Sequence, residues 1–237
     1  MTALHSLSAA QAAQWRPGLG QPALHAEVFA PAGDGAGAAL ALAFAQDHLR
    51  DALRDPAADT PDERSWLWVQ DKAAIRLSGR PYRPGLPREL RHRLVHVSAA
   101  SPEDALFAIE EGLRCRDLAF VIGEIAGNPR SLDFTASRRL SLAVERHGVP
   151  LWLIRTQAGR DLGSARMRWQ AKSARSSLPQ RNPRAPGEPA WHAELFRARN
   201  HPPGEWILRH EGGALKACPP HPVDLVHQPG DRSLATG

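Results

Sequence analysis

The feature that most constrains the fold is an alternation of strand and helix patterns, repeated five times between residues 25 and 155. The clearest strand is LAFVIGEI at 118–125, a continuous apolar run typical of a strand that is covered on both faces. The clearest helix begins at Ser101 and Pro102, which suit a helix cap and a first helical turn. Because strands that alternate with helices pair in parallel, the pattern predicts a mostly parallel α/β sheet flanked by helices.

Strands without intervening helices follow Arg155, in the segments ARMRWQAKS, WHAELFRAR and EWILRHEG. Consecutive strands of this kind add antiparallel pairs to one edge of a sheet. We therefore divide the chain into a short N-terminal helical segment at 1–24, a core domain at 25–216 and a disordered C-terminal tail at 217–237.

Composition narrows the class of protein. Apolar residues make up 42% of the 237 residues, which is typical of a folded domain. The longest apolar run, at 36–45, is too short to span a bilayer, and the N-terminus lacks the pattern of a signal peptide. We therefore expect a cytoplasmic protein with no membrane partner. Two cysteines indicate no disulfide framework, and no ligand spacing indicates a metal site.

A Gly-rich turn, in FAPAGDGAGAALALAF at 29–44, joins the first strand to a long helix. A phosphate-binding loop in this position has the pattern G-x-x-x-x-G-K-[ST]. When its last glycine is aligned on Gly37, the lysine falls on Ala38 and the Mg²⁺-binding hydroxyl on Ala39. Gly33 and Gly35 keep the backbone freedom of such a loop, but the charged groups are missing. The turn is therefore a degenerate nucleotide loop, and we expect it to be structural.

A nucleotide enzyme of this build also needs a carboxylate at the end of a buried strand to hold Mg²⁺. In LAFVIGEI that position falls on Gly123, and Glu124 points to the opposite face of the strand. After the second strand, Asp71 is followed by Lys72 rather than by a second acid. These losses predict a pseudo-ATPase without catalytic residues, metal or cofactor.

Basic residues are concentrated in the C-terminal half. Between 150 and 212 the chain has eleven basic and five acidic residues, whereas the net charge of the whole chain is +5. Such a surplus is typical of a surface that binds nucleic acid or an acidic partner, although a solvated arginine face would give the same composition. On the first interpretation the candidates for a partner or DNA surface are Arg155, Arg166, Arg168, Arg197 and Arg199.

The order of several segments is similar to that of a known family. The most specific are LDFTASRRLSLAVERHGVPLWLIR at 132–155 and the Trp- and Arg-rich SARMRWQAKS and PAWHAELFRARNHPPGEWILRHEGG. Together with HAEVFA, LWV, DALFAIEEGLR and FVIGEI they cover about residues 25–216. In these segments the chain resembles the ImuA family of bacterial inducible-mutagenesis proteins, which have a RecA-like core.

The resemblance implies a cytoplasmic accessory factor of the SOS response that acts in translesion DNA synthesis without recombinase chemistry. Its implied partners are ImuB, which is a catalytically inactive Y-family polymerase homologue, an error-prone C-family polymerase, and RecA. DNA is a further candidate partner. The resulting hypothesis is a non-catalytic adaptor.

Two alternatives belong to other functional classes. One is an SOS cell-division inhibitor resembling SulA, which has a related fold and binds the division protein FtsZ. The other is a true ATPase, against which the missing lysine and hydroxyl argue.

Overall fold

A computed structural model of the chain describes residues 24–52, 62–177, 179, 182, 184–211 and 214–218. The strands are β1 (His25–Ala30), β2 (Ser65–Asp71), β3 (Leu94–Ala99), β4 (Leu118–Ala126), β5 (Leu151–Thr156), β6 (Met167–Ser173), β7 (Ala190–Ala198), β8 (Gly204–Glu211) and β9 (Ala214–Cys218). The helices are α1 (Ala36–Ala52), α2 (Lys72–Ser78), α3 (Arg88–Arg91), α4 (Pro102–Arg114) and α5 (Phe134–His147), with one 3₁₀ turn at Arg83–Gly85.

All nine strands form one mixed sheet in the order β3-β2-β4-β5-β1-β6-β7-β8-β9. The pairs from β3 to β6 are parallel, and the pairs from β6 to β9 are antiparallel. The predicted α/β class, with a mostly parallel sheet and antiparallel strands toward the C-terminus, is confirmed.

Helices cover the two faces of the parallel part of the sheet. On one face α1 packs over a core rich in aromatic side chains, which includes Trp66, Phe120, Trp152 and Trp169. On the other face α4 and α5 pack over aliphatic residues such as Val121 and Leu153. Both faces of β4 and β5 are buried, and their sequences are accordingly mainly apolar, although each carries a buried charged residue, Glu124 in β4 and Arg155 in β5.

The helix ends follow from local chemistry. Ser101 caps α4 by accepting a hydrogen bond from the backbone N–H of Asp104, and Asp133 caps α5 in the same way through Ala136. Gly148 ends α5 in the left-handed conformation, with φ of 74°, which glycine adopts without strain. Both caps and the glycine stop are visible in the sequence, so these helices were predictable.

Three elements differ from the expected organisation. Two short helices, α2 and α3, follow β2, and β9 is an additional strand paired with β8. Since β9 extends to Cys218, the paired chain continues two residues into the segment expected to be a tail. The expected N-terminal helical segment at 1–24, apart from residue 24, and the rest of the expected tail lie outside the described residues.

Candidate functional site

The Gly-rich turn lies at the carboxyl end of β1 and leads directly into α1. Gly33 has φ of 77°, so this position favours glycine. Gly37 is required for a different reason, because a Cβ atom built on it would lie 2.7 Å from the Cβ of Ala30. A Cβ at Gly35 would meet nothing within 4 Å. Two of the three glycines therefore have a clear structural role, which is one of conformation at Gly33 and of packing at Gly37.

Asp34 occupies this turn with a carboxylate. Its Oδ1 accepts hydrogen bonds from the backbone N–H of Ala36 at 2.9 Å and from the Ser173 hydroxyl at 2.6 Å. Its Oδ2 accepts from the backbone N–H of Ser173 at 2.9 Å. Asp34 thus joins the start of α1 to the end of β6, and the negative charge at the start of this helix comes from the chain itself.

The carboxylate of Asp34 stays ionised at neutral pH. Burial disfavours its charged form, but the hydrogen bonds from Ser173 and Ala36 outweigh this effect and hold the pKa of Asp34 below its usual range. A phosphate group placed in this turn would meet that charge. Ala38 and Ala39 lie in the first turn of α1 and bring no cation or hydroxyl to offset it.

The carboxyl ends of β2, β4 and β5 meet at the same edge of the sheet. Here Glu124 lies on the side of the sheet that α1 covers, and its side chain is buried. It accepts hydrogen bonds from Gln70 Nε2 at 2.8 Å and Ser78 Oγ at 2.7 Å, and a longer one from Thr156 Oγ1 at 3.4 Å. The carboxylate is therefore held by side chains of the protein.

Two neighbouring positions are used structurally. The pattern expects an acid at Gly123, but a Cβ atom there would lie 2.5 Å from Ile109 Cδ1, so any side chain would require Ile109 to move. Asp71 caps α2 through a 2.6 Å hydrogen bond from Ala74 N, and its second carboxylate oxygen is buried without a hydrogen-bond partner. Neither position presents a free carboxylate to solvent.

Arg155 and Arg168 are buried, so the expectation that they belong to a partner or DNA surface is wrong. Arg168 Nε donates to Glu27 Oε2 at 2.5 Å, and Arg155 Nη1 lies 3.8 Å from Glu27 Oε1. Both guanidinium groups also contact the carboxylate of Asp161, at 3.3 and 3.4 Å. We call these four residues the buried ion cluster, in which two positive and two negative charges balance.

Aromatic rings complete the surroundings of the buried ion cluster. The Phe29 ring lies within 5.5 Å of the guanidinium carbons of both arginines. Phe196 packs edge-on against Phe29 at 5.5 Å and carries the Arg160 guanidinium over its face at 4.1 Å. The arginine side chains are thus held by ion pairs, hydrogen bonds and cation–π contacts, and their role is to attach the 157–166 connection to the sheet.

The other three predicted arginines come together on the surface. Arg166, Arg197 and Arg199, with Arg138 of α5, line one cavity of about 350 Å³. We call these four side chains the arginine cavity. Arg166 donates to Glu145 at 2.8 Å, and this hydrogen bond is the main cause that holds the pKa of Glu145 below its usual range.

The arginine cavity lies far from the Gly-rich turn. The backbone N–H of Arg166 donates to the carbonyl of His25, the first residue of β1, and that of Arg199 donates to the carbonyl of Arg166. The Gly-rich turn follows the last residue of the same strand. A strand of six residues is about 20 Å long, so the two features lie at opposite edges of the sheet.

A hydroxyl cluster of Ser137, Ser141 and Ser164 lies at the inner wall of the arginine cavity. Ser164, which lines the cavity, is 2.6 Å from Ser141 Oγ, and Ser141 Oγ is 2.8 Å from Nδ1 of the buried His25. Burial is the main cause that lowers the pKa of His25 to about 4, so its ring is neutral at pH 7. These contacts fix the floor of the cavity.

Sequence reasoning missed Arg138 and Asp34, and it missed the two carboxylates of the buried ion cluster, Glu27 and Asp161. A detectable signal existed for the cluster, because Glu27 interrupts the apolar strand β1 and a buried carboxylate needs a cationic partner. Asp34 was also visible as an acid within a Gly-rich turn. Nothing in the sequence brings Arg138 to Arg197, since only the packing of α5 on the sheet does so.

Among the residues that the structure describes, no group of three or more His, Cys, Asp or Glu side chains is placed to hold a metal ion. No helix in the same ranges combines the length and apolar character needed to cross a membrane. A scan of protein-family models found no match to this chain, and a search of curated proteins found none either.

Proposed function

We propose that the chain is a non-catalytic, RecA-like accessory factor of SOS-induced mutagenesis, acting as an adaptor in translesion DNA synthesis. The resemblance of residues 25–216 to the ImuA family supports the biological setting. The single observation that carries the non-catalytic assignment is the carboxylate of Asp34, which accepts the first backbone N–H of α1 in the Gly-rich turn.

The sheet topology supports a RecA-like relationship. β4, β5 and β1 are neighbours in this order and pair in parallel. The Gly-rich turn and the carboxyl end of β4 therefore lie at the same edge of the sheet. Open α/β sheets bind their ligands at this edge. In this chain both positions are occupied by internal contacts, those of Asp34 and those of Glu124.

An assay of hydrolysis tests the non-catalytic part of the proposal. We expect no ATP turnover above background with Mg²⁺ and single-stranded DNA, because Ala38 and Ala39 replace the lysine and the Mg²⁺ ligand. The control is a preparation of the Ala38→Asp variant, which adds a second negative charge to the turn. Turnover in the natural chain that Ala38→Asp abolishes would overturn the pseudo-ATPase assignment.

Capture of partners tests the adaptor role. The tagged chain is purified from cells with and without DNA damage, and the proteins that accompany it are identified. The proposal expects an ImuB-like Y-family polymerase homologue and an error-prone C-family polymerase, with RecA as a further partner. Capture of FtsZ without polymerase subunits would instead favour the SulA-like division inhibitor.

A further inference from the structure

The arginine cavity has more positive charge than its surroundings neutralise. Four arginines and one glutamate line it, and only Arg166 is paired with that glutamate. Within the ranges that the structure describes, no carboxylate forms an ion pair with the side chain of Arg138, Arg197 or Arg199. Like charges held this close repel one another, and a bound anion would relieve that repulsion.

The four guanidinium groups come from different parts of the fold. Arg138 is on α5, Arg166 precedes β6, and Arg197 and Arg199 lie at and just after the end of β7. The strand pairing of β6 with β7 and the backbone hydrogen bond from Arg199 to Arg166 hold three of them together. The hydroxyl cluster fixes the floor at Ser164, so the cavity is built by the fold rather than by one loop.

The size and charge of the cavity select the kind of anion. A volume of about 350 Å³ suits a small ligand of the size of a nucleotide. The lining has a surplus of three positive charges. One phosphate monoester carries nearly two negative charges at neutral pH, and two linked phosphates carry roughly three, which matches this surplus. One guanidinium group donates two parallel hydrogen bonds to the oxygens of a phosphate. A single phosphodiester in the same space would leave most of the surplus uncompensated.

An aromatic ring at the cavity gives the ligand a second recognisable part. Phe134, the first residue of α5, also lines the cavity, and 53% of its surface is exposed. An exposed aromatic face beside guanidinium groups stacks a nucleobase while the cations hold the phosphates. We propose that the arginine cavity binds a nucleotide that carries at least two linked phosphate groups. This inference goes beyond the proposed function and does not depend on it.

The test is a binding titration of the full chain with a fluorescently labelled adenosine diphosphate, in EDTA and at low salt. We expect unlabelled pyrophosphate to compete. We also expect Arg138→Gln/Arg199→Gln to weaken binding by about tenfold or more, because it removes two charge-assisted sets of hydrogen bonds. The matched control is Arg76→Gln/Arg88→Gln, which removes the same charge from exposed arginines elsewhere and should change the affinity by less than about twofold.

Two further variants separate the parts of the ligand. Phe134→Ala should weaken the affinity for the nucleotide. It should leave the affinity for pyrophosphate, measured by competition, unchanged. Glu145→Gln should tighten binding by about threefold or more, since it frees Arg166 and removes the opposing carboxylate.

Several outcomes would overturn the inference. One is the absence of binding at millimolar nucleotide, and another is an equal effect of the two double variants. A third is loss of binding in Ala38→Asp, which would place the ligand at the Gly-rich turn. The last is a clear preference for another anion over pyrophosphate. Preference for a twelve-nucleotide oligothymidylate would assign the cavity to a nucleic-acid strand, and preference for hexaglutamate would assign it to an acidic peptide. Failure of this test leaves partner capture, which tests the proposed adaptor role, unaffected.

Discussion

Replacing Arg168 by methionine should strongly destabilise the protein. The side chain of Arg168 is 2% exposed, and its Nε donates to Glu27 Oε2 while its Nη1 donates to the carbonyl of Asp161 at 2.6 Å. Methionine fills a similar length without a charge or a donor. It would leave Glu27 buried with only the longer contact to Arg155, at 3.8 Å. Removing one partner of a buried ion pair costs about 3–5 kcal/mol.

Arg166 offers a matched control, because it lies two residues away and also pairs with one glutamate. Its side chain is 42% exposed, and so is much of Glu145, at 38%. Pairs of this kind contribute about 0–1 kcal/mol, since water and salt screen them. Arg166→Met should therefore lower the free energy of unfolding by less than about 1 kcal/mol, although both variants lose the same charge.

Equilibrium unfolding in urea, followed by tryptophan fluorescence, measures both values. The buried Trp169 and Trp152 belong to the main core, so their emission should report unfolding. The double variant Glu27→Gln/Arg168→Met should cost about 1–3 kcal/mol less than the two single variants added together, because the two side chains interact directly. A cost below about 1 kcal/mol for Arg168→Met, or equal costs for Arg168→Met and Arg166→Met, would refute a buried ion pair.

Two further predictions concern the stability of the protein. Gly37→Val should lower the free energy of unfolding by about 1–3 kcal/mol, because its side chain would overlap Ala30. The control is Gly35→Ala, since a Cβ atom at Gly35 meets nothing within 4 Å. An unchanged melting temperature for Gly37→Val would contradict the close contact between Gly37 and Ala30. The pKa of His25 is about 4 in the folded chain and 6.5 in the unfolded chain. Between pH 6.5 and pH 4, therefore, the His25 ring gains a proton in the unfolded chain but not in the folded one. Stability should therefore decrease as the pH falls from 6.5 to 4, by about 3 kcal/mol in total from this group. In His25→Leu that part of the pH dependence should be absent, and the same slope in both proteins would contradict a buried neutral histidine.

The parallel core could be predicted because its rules are local. The continuous apolar composition of β4, the caps at Ser101 and Asp133 and the glycine stop at Gly148 all act within a few residues. The face that α1 buries was less predictable. Its buried side combines Leu40 with small residues such as Ala41 and Ala45, and the alanines let the helix lie close to the sheet.

The arginine surface was only partly predictable, because strand alternation does not identify the solvated face. Arg166 and Arg168 are two residues apart, and a strand pattern places them alike. Burial of Arg168 depends on Glu27, which is 141 residues distant in sequence, and on Asp161 in a connection without regular structure. The composition alone could not distinguish a guanidinium group that pairs in the interior from one that lines a cavity.

The position of β1 has a consequence for how the chain folds during synthesis. β1 leaves the ribosome before any other strand described here, yet its neighbours are β5 and β6, where His25 pairs with Leu151 and Ala26 with Met167. The sheet therefore cannot close around β1 until more than a hundred further residues have been made, and contacts of such long sequence separation form slowly. Until then α1 has neither β5 nor β6 to pack against, so much of its apolar side stays uncovered. A ribosome-bound chain that ends before residue 151 should consequently bind chaperones, and the release of those chaperones should coincide with the emergence of β6.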